Sequence, residues 1–343
     1  MKFKRLFAWL LVLIMCFTLA ACHNADSDSN TKTSSAETTI NTEATTEYVP
    51  DTTAIVPDSE SATPLLYKVS DKSGNVIWLF GSIHVGREDY YPLPSYVSDA
   101  FDNADSLAVE ADIVAFEKDL DLQVQAILPL VYTDGSTIKD HLSAELYERS
   151  VEVLGELDIY FQTMDYYCPS MWSSLIDSMV IEEIGVDSNL GIDRHLIEKA
   201  NSSGKEIIEI ESVEFQYKLL ADFSDELQAL LLESSIDMYE NPDEAKEDIN
   251  EMLDLWASGD EKAFAAYLAE SDEDMTAEEE LLNEEYNNAM IVERNLTMTD
   301  FAEDALNSGE EVFICVGSAH VVGEGAMAEM LSQRGYTVEC ITE

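Results

Sequence analysis

The chain has 343 residues, of which 18 are Lys or Arg and 70 are Asp or Glu, for a formal net charge of −52. A surface this anionic repels phosphate backbones and anionic headgroups, which excludes nucleic acid and charge-driven membrane binding. With 12 Phe, 4 Trp and 15 Tyr there is ample apolar volume for a core, so the chain reads as globular, not as an acidic disordered protein.

Met1–Arg5 is basic, and Leu6–Ala20 is a nearly unbroken apolar run. Roughly 15 apolar residues are too few to span a membrane comfortably; after a basic start they read as a signal peptide over residues 1–21. Leu19-Ala20-Ala21-Cys22 resembles a bacterial lipobox. That resemblance implies cleavage before Cys22, a lipid on its thiol, and anchoring at the extracytoplasmic face of the bacterial cell membrane. Residues 23–63 are mostly Ser, Thr, Asn, Asp and Glu. Such a composition cannot offset ordering entropy, so 22–63 is expected to be a lipidated Cys and a disordered acidic tether.

The folded part is expected over 64–343. Leu65–Val69 and Val76–Phe80 read as strands joined by the turn-rich Asp71–Asn75. Pro94–Asn103 reads as a helix, and Ser106–Glu110 as a buried strand ending in a carboxylate. Helices follow to about Ile184, then Ile192–Asn201 is helical, and Lys205–Ile210 is a strand closing on Glu211. Residues 225–307 read as helical throughout, dense in acids, with Lys246, Lys262 and Arg294 as the basic residues. Within it Asn241-Pro242-Asp243-Glu244 is a helix start, with Asn241 as N-cap, and Thr276–Glu279 fits a capping box. Val312–Val316 is an apolar strand, Gly325–Arg334 a helix and Tyr336–Ile341 a last strand. Strands alternating with helices predict an α/β fold, with α+β as the alternative. The expected form is a central mixed sheet flanked by helices, in two related halves, with a helical insertion at about 225–307.

Two five-residue segments repeat: Gly81-Ser82-Ile83-His84-Val85 and Gly317-Ser318-Ala319-His320-Val321. Each follows an apolar strand, where open α/β sheets place ligand sites. Gly81 and Gly317 are read as letting the chain turn away from the sheet, so that a His three residues on points back over the strand end. Of the five His in the chain, two occupy these matched positions, and imidazole is the commonest metal ligand and acid–base group. Glu110 and Glu211, at other strand ends, are the carboxylates that would complete a site. Two His with one or two carboxylates suit a divalent ion, Mn, Co or Zn.

WLFGSIHVG, the VE at 109–110, GIDRHLI at 191–197, IIEIES at 207–212, ERN at 293–295 and VFICVGSAHVVGEG occur in this order. Together they resemble the TraB/PrgY/GumN family, which includes the TIKI-type metalloproteases. The resemblance spans the whole folded part. It implies that His84 and His320 are metal ligands, that Glu110 is the catalytic or metal-binding carboxylate, and that Arg294 and Asn295 form a polar pair near the site. The activity it implies is metal-dependent hydrolysis of peptides outside the cytoplasm. The alternative is a membrane-anchored protein that sequesters a secreted signalling peptide without turnover. From the residues themselves, Arg294 would offset buried carboxylates or hold a substrate carboxylate. Asp193 is expected to cap the helix that carries His195.

Other signals point elsewhere. There is no HExxH and no GxSxG. Gly323-Glu324-Gly325-Ala326-Met327-Ala328 matches a dinucleotide fingerprint but starts well past its strand, so Gly323 is read as a turn into the last helix and no nucleotide is expected. His195 is read as structural and His141 as a surface residue at a helix start. Cys168, Cys315 and Cys340 leave room for one disulfide.

Overall fold

The structure is a computed structural model that describes residues 62–270 and 275–342. The expected signal peptide, the expected lipidation at Cys22 and the expected tether as far as residue 61 lie outside the described residues. Among those described, no helix is long and apolar enough to cross a membrane.

Six strands form one sheet: β1 (Leu66–Ser70), β2 (Val76–Ser82), β3 (Ser106–Val109), β4 (Glu206–Glu209), β5 (Val312–Gly317) and β6 (Thr337–Ile341). They are ordered β4-β3-β5-β2-β1-β6. β4, β3, β5 and β2 are parallel, while β1 runs antiparallel to both β2 and β6. Every residue of β3 and β5 is buried, as expected of parallel strands covered on both faces. The β1–β2 turn has a local cause. The Asp71 carboxylate accepts from the amides of Ser73 and Asn75 at 2.8 and 2.9 Å, and Gly74 supplies a φ of +92°.

Among the described residues, twelve helices of more than one turn surround the sheet. They are α1 (Ser95–Asn103), α2 (Leu120–Ile127), α3 (Ala144–Glu156), α4 (Pro169–Ile184), α5 (Ile192–Ser203), α6 (Val213–Ala221), α7 (Asp225–Glu240), α8 (Pro242–Ser258), α9 (Glu261–Leu268), α10 (Ala277–Asn287), α11 (Glu293–Ser308) and α12 (Met327–Gln333). The capping box at Thr276 forms as the sequence predicts. Asn241 precedes α8, but its amide donates to the Asp237 carbonyl at 2.7 Å instead of capping. A π-helical turn, Asn288–Val292, joins α10 to α11. Cys168, Cys315 and Cys340 are all free thiols.

The core is continuous from the sheet into the helices. Phe313 on β5 meets Phe80 on β2 and Phe101 on α1 at ring-centroid distances of 5.7 and 5.6 Å, and Trp256 on α8 reaches Phe80. The Trp256 indole N–H also donates to the Gly81 carbonyl at 2.9 Å, tying α8 to the end of β2.

Candidate functional site

The strand order explains why residues far apart in sequence meet. β4, β3, β5 and β2 are parallel neighbours, so their carboxyl ends lie along one edge of the sheet, about 4.8 Å apart. In that order the strand ends deliver Glu211, Glu110, His320 and His84. α11 supplies Arg294 and Asn295.

The two glycine turns do different work from that expected. Gly81 lies inside β2, where an added Cβ would stand 2.9 Å from Ser318 Cα, so it is needed for close approach between the two turns. Gly317 has a φ of −50°, open to any residue, and its N–H donates to Glu110 Oε1 at 2.7 Å. Gly323, at φ +113°, is a true left-handed turn ahead of α12.

Each imidazole is fixed through Nδ1. His84 Nδ1 is 2.8 Å from Asp193 Oδ2, so Asp193, inside the first turn of α5, orients His84; the residue at the helix N-cap is Gly191. His320 Nδ1 is 2.7 Å from Asn295 Oδ1. The Asn295 amide N–H donates to the Gly325 carbonyl at 2.8 Å, which sets the side chain's orientation. Asn295 Oδ1 is therefore an acceptor, His320 Nδ1 must carry the proton, and Nε2 is left with its lone pair. Among the described residues that buried Nε2 has no hydrogen-bond partner, and it stands 3.9 Å from Glu110 Oε1, too far for a hydrogen bond.

The electrostatics separate the two rings. Burial and then the positive charges of Arg294 and His84 press His320 well below the usual imidazole range. Burial also works against a charge on His84, but the Asp193 carboxylate outweighs it and holds His84 up at about 9. Asp193 is buried too, yet His84 brings it below the usual carboxylate range.

Arg294 is a buried hub, 2% exposed, and of the two roles open to it from sequence it takes the offsetting of buried carboxylates. Its Nη2 donates to Glu110 Oε2 at 2.6 Å and to Glu211 Oε2 at 2.8 Å, and its Nε donates to Glu211 Oε1 at 2.8 Å. Glu110 and Glu211 hold the guanidinium above its usual range against the effect of burial. Glu211 is thus an internal carboxylate, its side chain 4% exposed. A residue that sequence reasoning missed completes the cluster. Gln216 Nε2 donates to Glu110 Oε2 and Glu211 Oε2, both at 3.0 Å. Its signal was a Gln on the buried face of the helix directly after Glu211. The π turn before Arg294 resets the helix so that two consecutive polar residues, Arg294 and Asn295, are both buried and reach opposite parts of the site.

The donor set fits a divalent ion in one respect. Both rings have Nδ1 anchored to an oxygen acceptor, the arrangement that supporting contacts give metal-ligating His; Nε2 of neutral His320 offers a lone pair, whereas His84, held at about 9, would have to give up its Nε2 proton to become a ligand. Among the described residues no three His, Cys, Asp or Glu side chains form a ready ligand set. Glu110 is occupied by Arg294, Gln216 and Gly317, with one bond on Oε1. The anchored Nδ1 atoms are thus the one feature of a metal site that the described residues share, without a preassembled ligand set.

The family model for TraB/PrgY/gumN matches residues 65–340. The chain belongs to the TraB/PrgY/gumN family. Among curated proteins it is similar to the uncharacterized protein YbaP of Escherichia coli (strain K12), 26% identical over 256 residues, covering 74% of this chain and 86% of YbaP. The same identity and coverage hold for the uncharacterized protein YbaP of Shigella flexneri. No solved structure matches. The family match takes in β1 to β5, β6 except its last residue, and both Gly-x-x-His turns. Of the other set-aside residues, His195 packs on Tyr91, ring centroids 4.5 Å apart, and His141 follows a 3-10 turn and bonds to Asp225.

Proposed function

We propose that this TraB/PrgY/gumN member is a metal-dependent hydrolase acting on peptides at the outer face of a membrane. The observation that carries the reading is the buried, unpartnered Nε2 of His320 beside Glu110, matched by a second His that is likewise held through Nδ1. His84 and His320 would hold the ion through Nε2. When bound, Mn, Co or Zn supplies Lewis acidity toward a carbonyl and makes water a better nucleophile.

The chain's own groups do the rest. Among the described residues Glu110 Oε1 accepts only the Gly317 N–H, and it keeps a lone pair to take a proton from water as general base. Arg294 and Gln216 fix that carboxylate from its other oxygen. Glu211 neutralises Arg294, so the guanidinium serves as a support for Glu110 and not as a free clamp for substrate. Asp193 and Asn295 fix the rings of His84 and His320.

The occupancy of Glu110 by three donors also favours a second reading, a peptide-binding protein without turnover. Metal content of the purified protein, beside the His84→Ala/His320→Ala variant, separates the two. About one divalent ion per chain, lost in a variant that keeps its circular dichroism, is expected. No ion in the wild type after incubation with Mn²⁺, Co²⁺ and Zn²⁺ would refute the hydrolase.

A further inference from the structure

The sheet edge that carries the carboxylates continues into an apolar surface that the site chemistry does not use. On α2, Leu120, Val124 and Leu128 just past its end recur every four residues and are 75%, 62% and 57% exposed. Leu122 beside them is exposed as well, and the helix buries only Ala126. Tyr166, also exposed, adjoins the patch: its carbonyl accepts from Tyr132 N–H at 2.7 Å, and Val131 bridges to Tyr167. A solvent-facing helix is ordinarily polar on its outer face, and a clustered apolar patch marks a binding surface.

Two observations indicate what covers it. The first is continuity with the site. α2 follows Glu110 through a one-turn helix, Ile113–Phe116, capped by Asp112, and it packs on α6, which begins just after Glu211. Ring contact between Phe116 and Tyr217 joins the two crossings, and Phe215 is exposed one residue before Gln216. The second is charge. From Glu110 to Ile138 the only basic residue is Lys118; Glu110 and Glu117 are paired with Arg294 and Arg194, which leaves Asp112, Asp119, Asp121 and Asp134 as the acidic rim. A second copy of a chain of net charge −52, or an anionic lipid surface, would be repelled.

We propose that α2 and its continuation to Leu128 are the docking surface for the peptide substrate, and that the preferred class is polypeptide mixing apolar side chains with Lys or Arg. The apolar side chains cover the Leu120–Val124–Leu128 stripe, and the cationic ones meet the acidic rim. The inference rests on the peptide reading of the site and names its substrate class.

The test is fluorescence anisotropy with the purified full chain in EDTA, using a short labelled peptide of alternating Leu and Lys. A Ser–Lys peptide of equal length and charge is the control. The Leu–Lys peptide should bind at least about tenfold more tightly than the control, and Leu120→Ser/Val124→Ser should remove about that factor. Both positions are exposed, so the variant keeps its fold. Equal binding of the two peptides would show charge alone and overturn the proposal, as would unchanged binding by the variant. A wild-type dimer that the variant converts to monomer, with peptide binding unaffected, would assign the patch to a second copy and overturn it. Flotation of the wild type but not the variant with phosphatidylcholine vesicles, again with peptide binding unaffected, would assign it to lipid and overturn it. Adding Mn²⁺ separates the two readings: a peptide that binds at the stripe yet stays intact supports the docking surface while refuting the hydrolase.

Discussion

Replacing Arg294 tests the buried charge cluster most directly. The guanidinium gives three hydrogen bonds of 2.6 to 2.8 Å to two carboxylates, and the side chains of Arg294, Glu110 and Glu211 are 2%, 8% and 4% exposed. Arg294→Met keeps much of the volume but leaves Glu110 and Glu211 facing each other, with the Gln216 amide as their shared donor. Removing one partner of a buried ion pair costs about 3–5 kcal/mol, because the other charge stays buried without compensation. With two carboxylates sharing one cation, a loss of about 4 kcal/mol at neutral pH is expected. Arg294→Lys should fall between, since an ammonium cannot reproduce the fork across two carboxylates. The Arg294→Met/Glu211→Gln double variant should recover part of the loss, because it removes a stranded charge together with its partner. The assay is urea denaturation followed by circular dichroism and tryptophan fluorescence. A loss under about 1 kcal/mol for Arg294→Met, or a double variant less stable than the single, would refute the description of Arg294 as a buried counter-charge.

Three further outcomes follow from other positions. Asp177 on α4 has both carboxylate oxygens buried without a hydrogen bond among the described residues, the Ser235 hydroxyl donating to the Leu231 carbonyl instead, and burial pushes it up to about 7. Its folded value lies above the unfolded one, so its contribution to stability is lost as pH rises from about 4 to about 7, roughly 4 kcal/mol in all; Asp177→Asn should flatten that part of a stability-versus-pH curve, and an unchanged slope would refute it. At Gly191 an added Cβ would lie 2.6 Å from the His84 carbonyl oxygen, so Gly191→Ala should lower the melting temperature and displace His84 from Asp193, seen as a shifted imidazole resonance in NMR; a spectrum like the wild type's would contradict the close contact. Asn295→Leu removes the acceptor for His320 Nδ1 and should weaken Co²⁺ binding about 10–100-fold by titration, while equal affinity would show that the His320 ring needs no such support.

Much of this fold is written locally. The apolar run Val312–Val316 has nowhere to go but a strand covered on both faces, and Thr276 with Glu279 closes a capping box using only its own neighbours. The six expected strands all form, with ends shifted by one or two residues where backbone pairing, not composition, sets the limit. The matched Gly-x-x-His turns were also readable, because a glycine and a His after a buried strand is a short-range pattern. The roles of the glycines were not. Gly81 is small because Ser318 lies against it, a contact between residues more than two hundred positions apart.

What the sequence by itself determined is therefore the inventory: an acidic globular chain, its alternating strands and helices, and the residue types able to do chemistry at strand ends. Those follow from periodicity, charge and turn chemistry, which act within a few residues. Only the tertiary structure decided partnership. The order β4-β3-β5-β2 sets Glu211, Glu110, His320 and His84 in a row, the π turn brings Arg294 and Asn295 inward together, and Gln216 joins the two carboxylates. It also left Leu120 and Val124 in solvent where their sequence would have suited a core. A side chain's burial and its partner depend on which strands and helices the whole sheet places beside it, and no window along the chain contains that information.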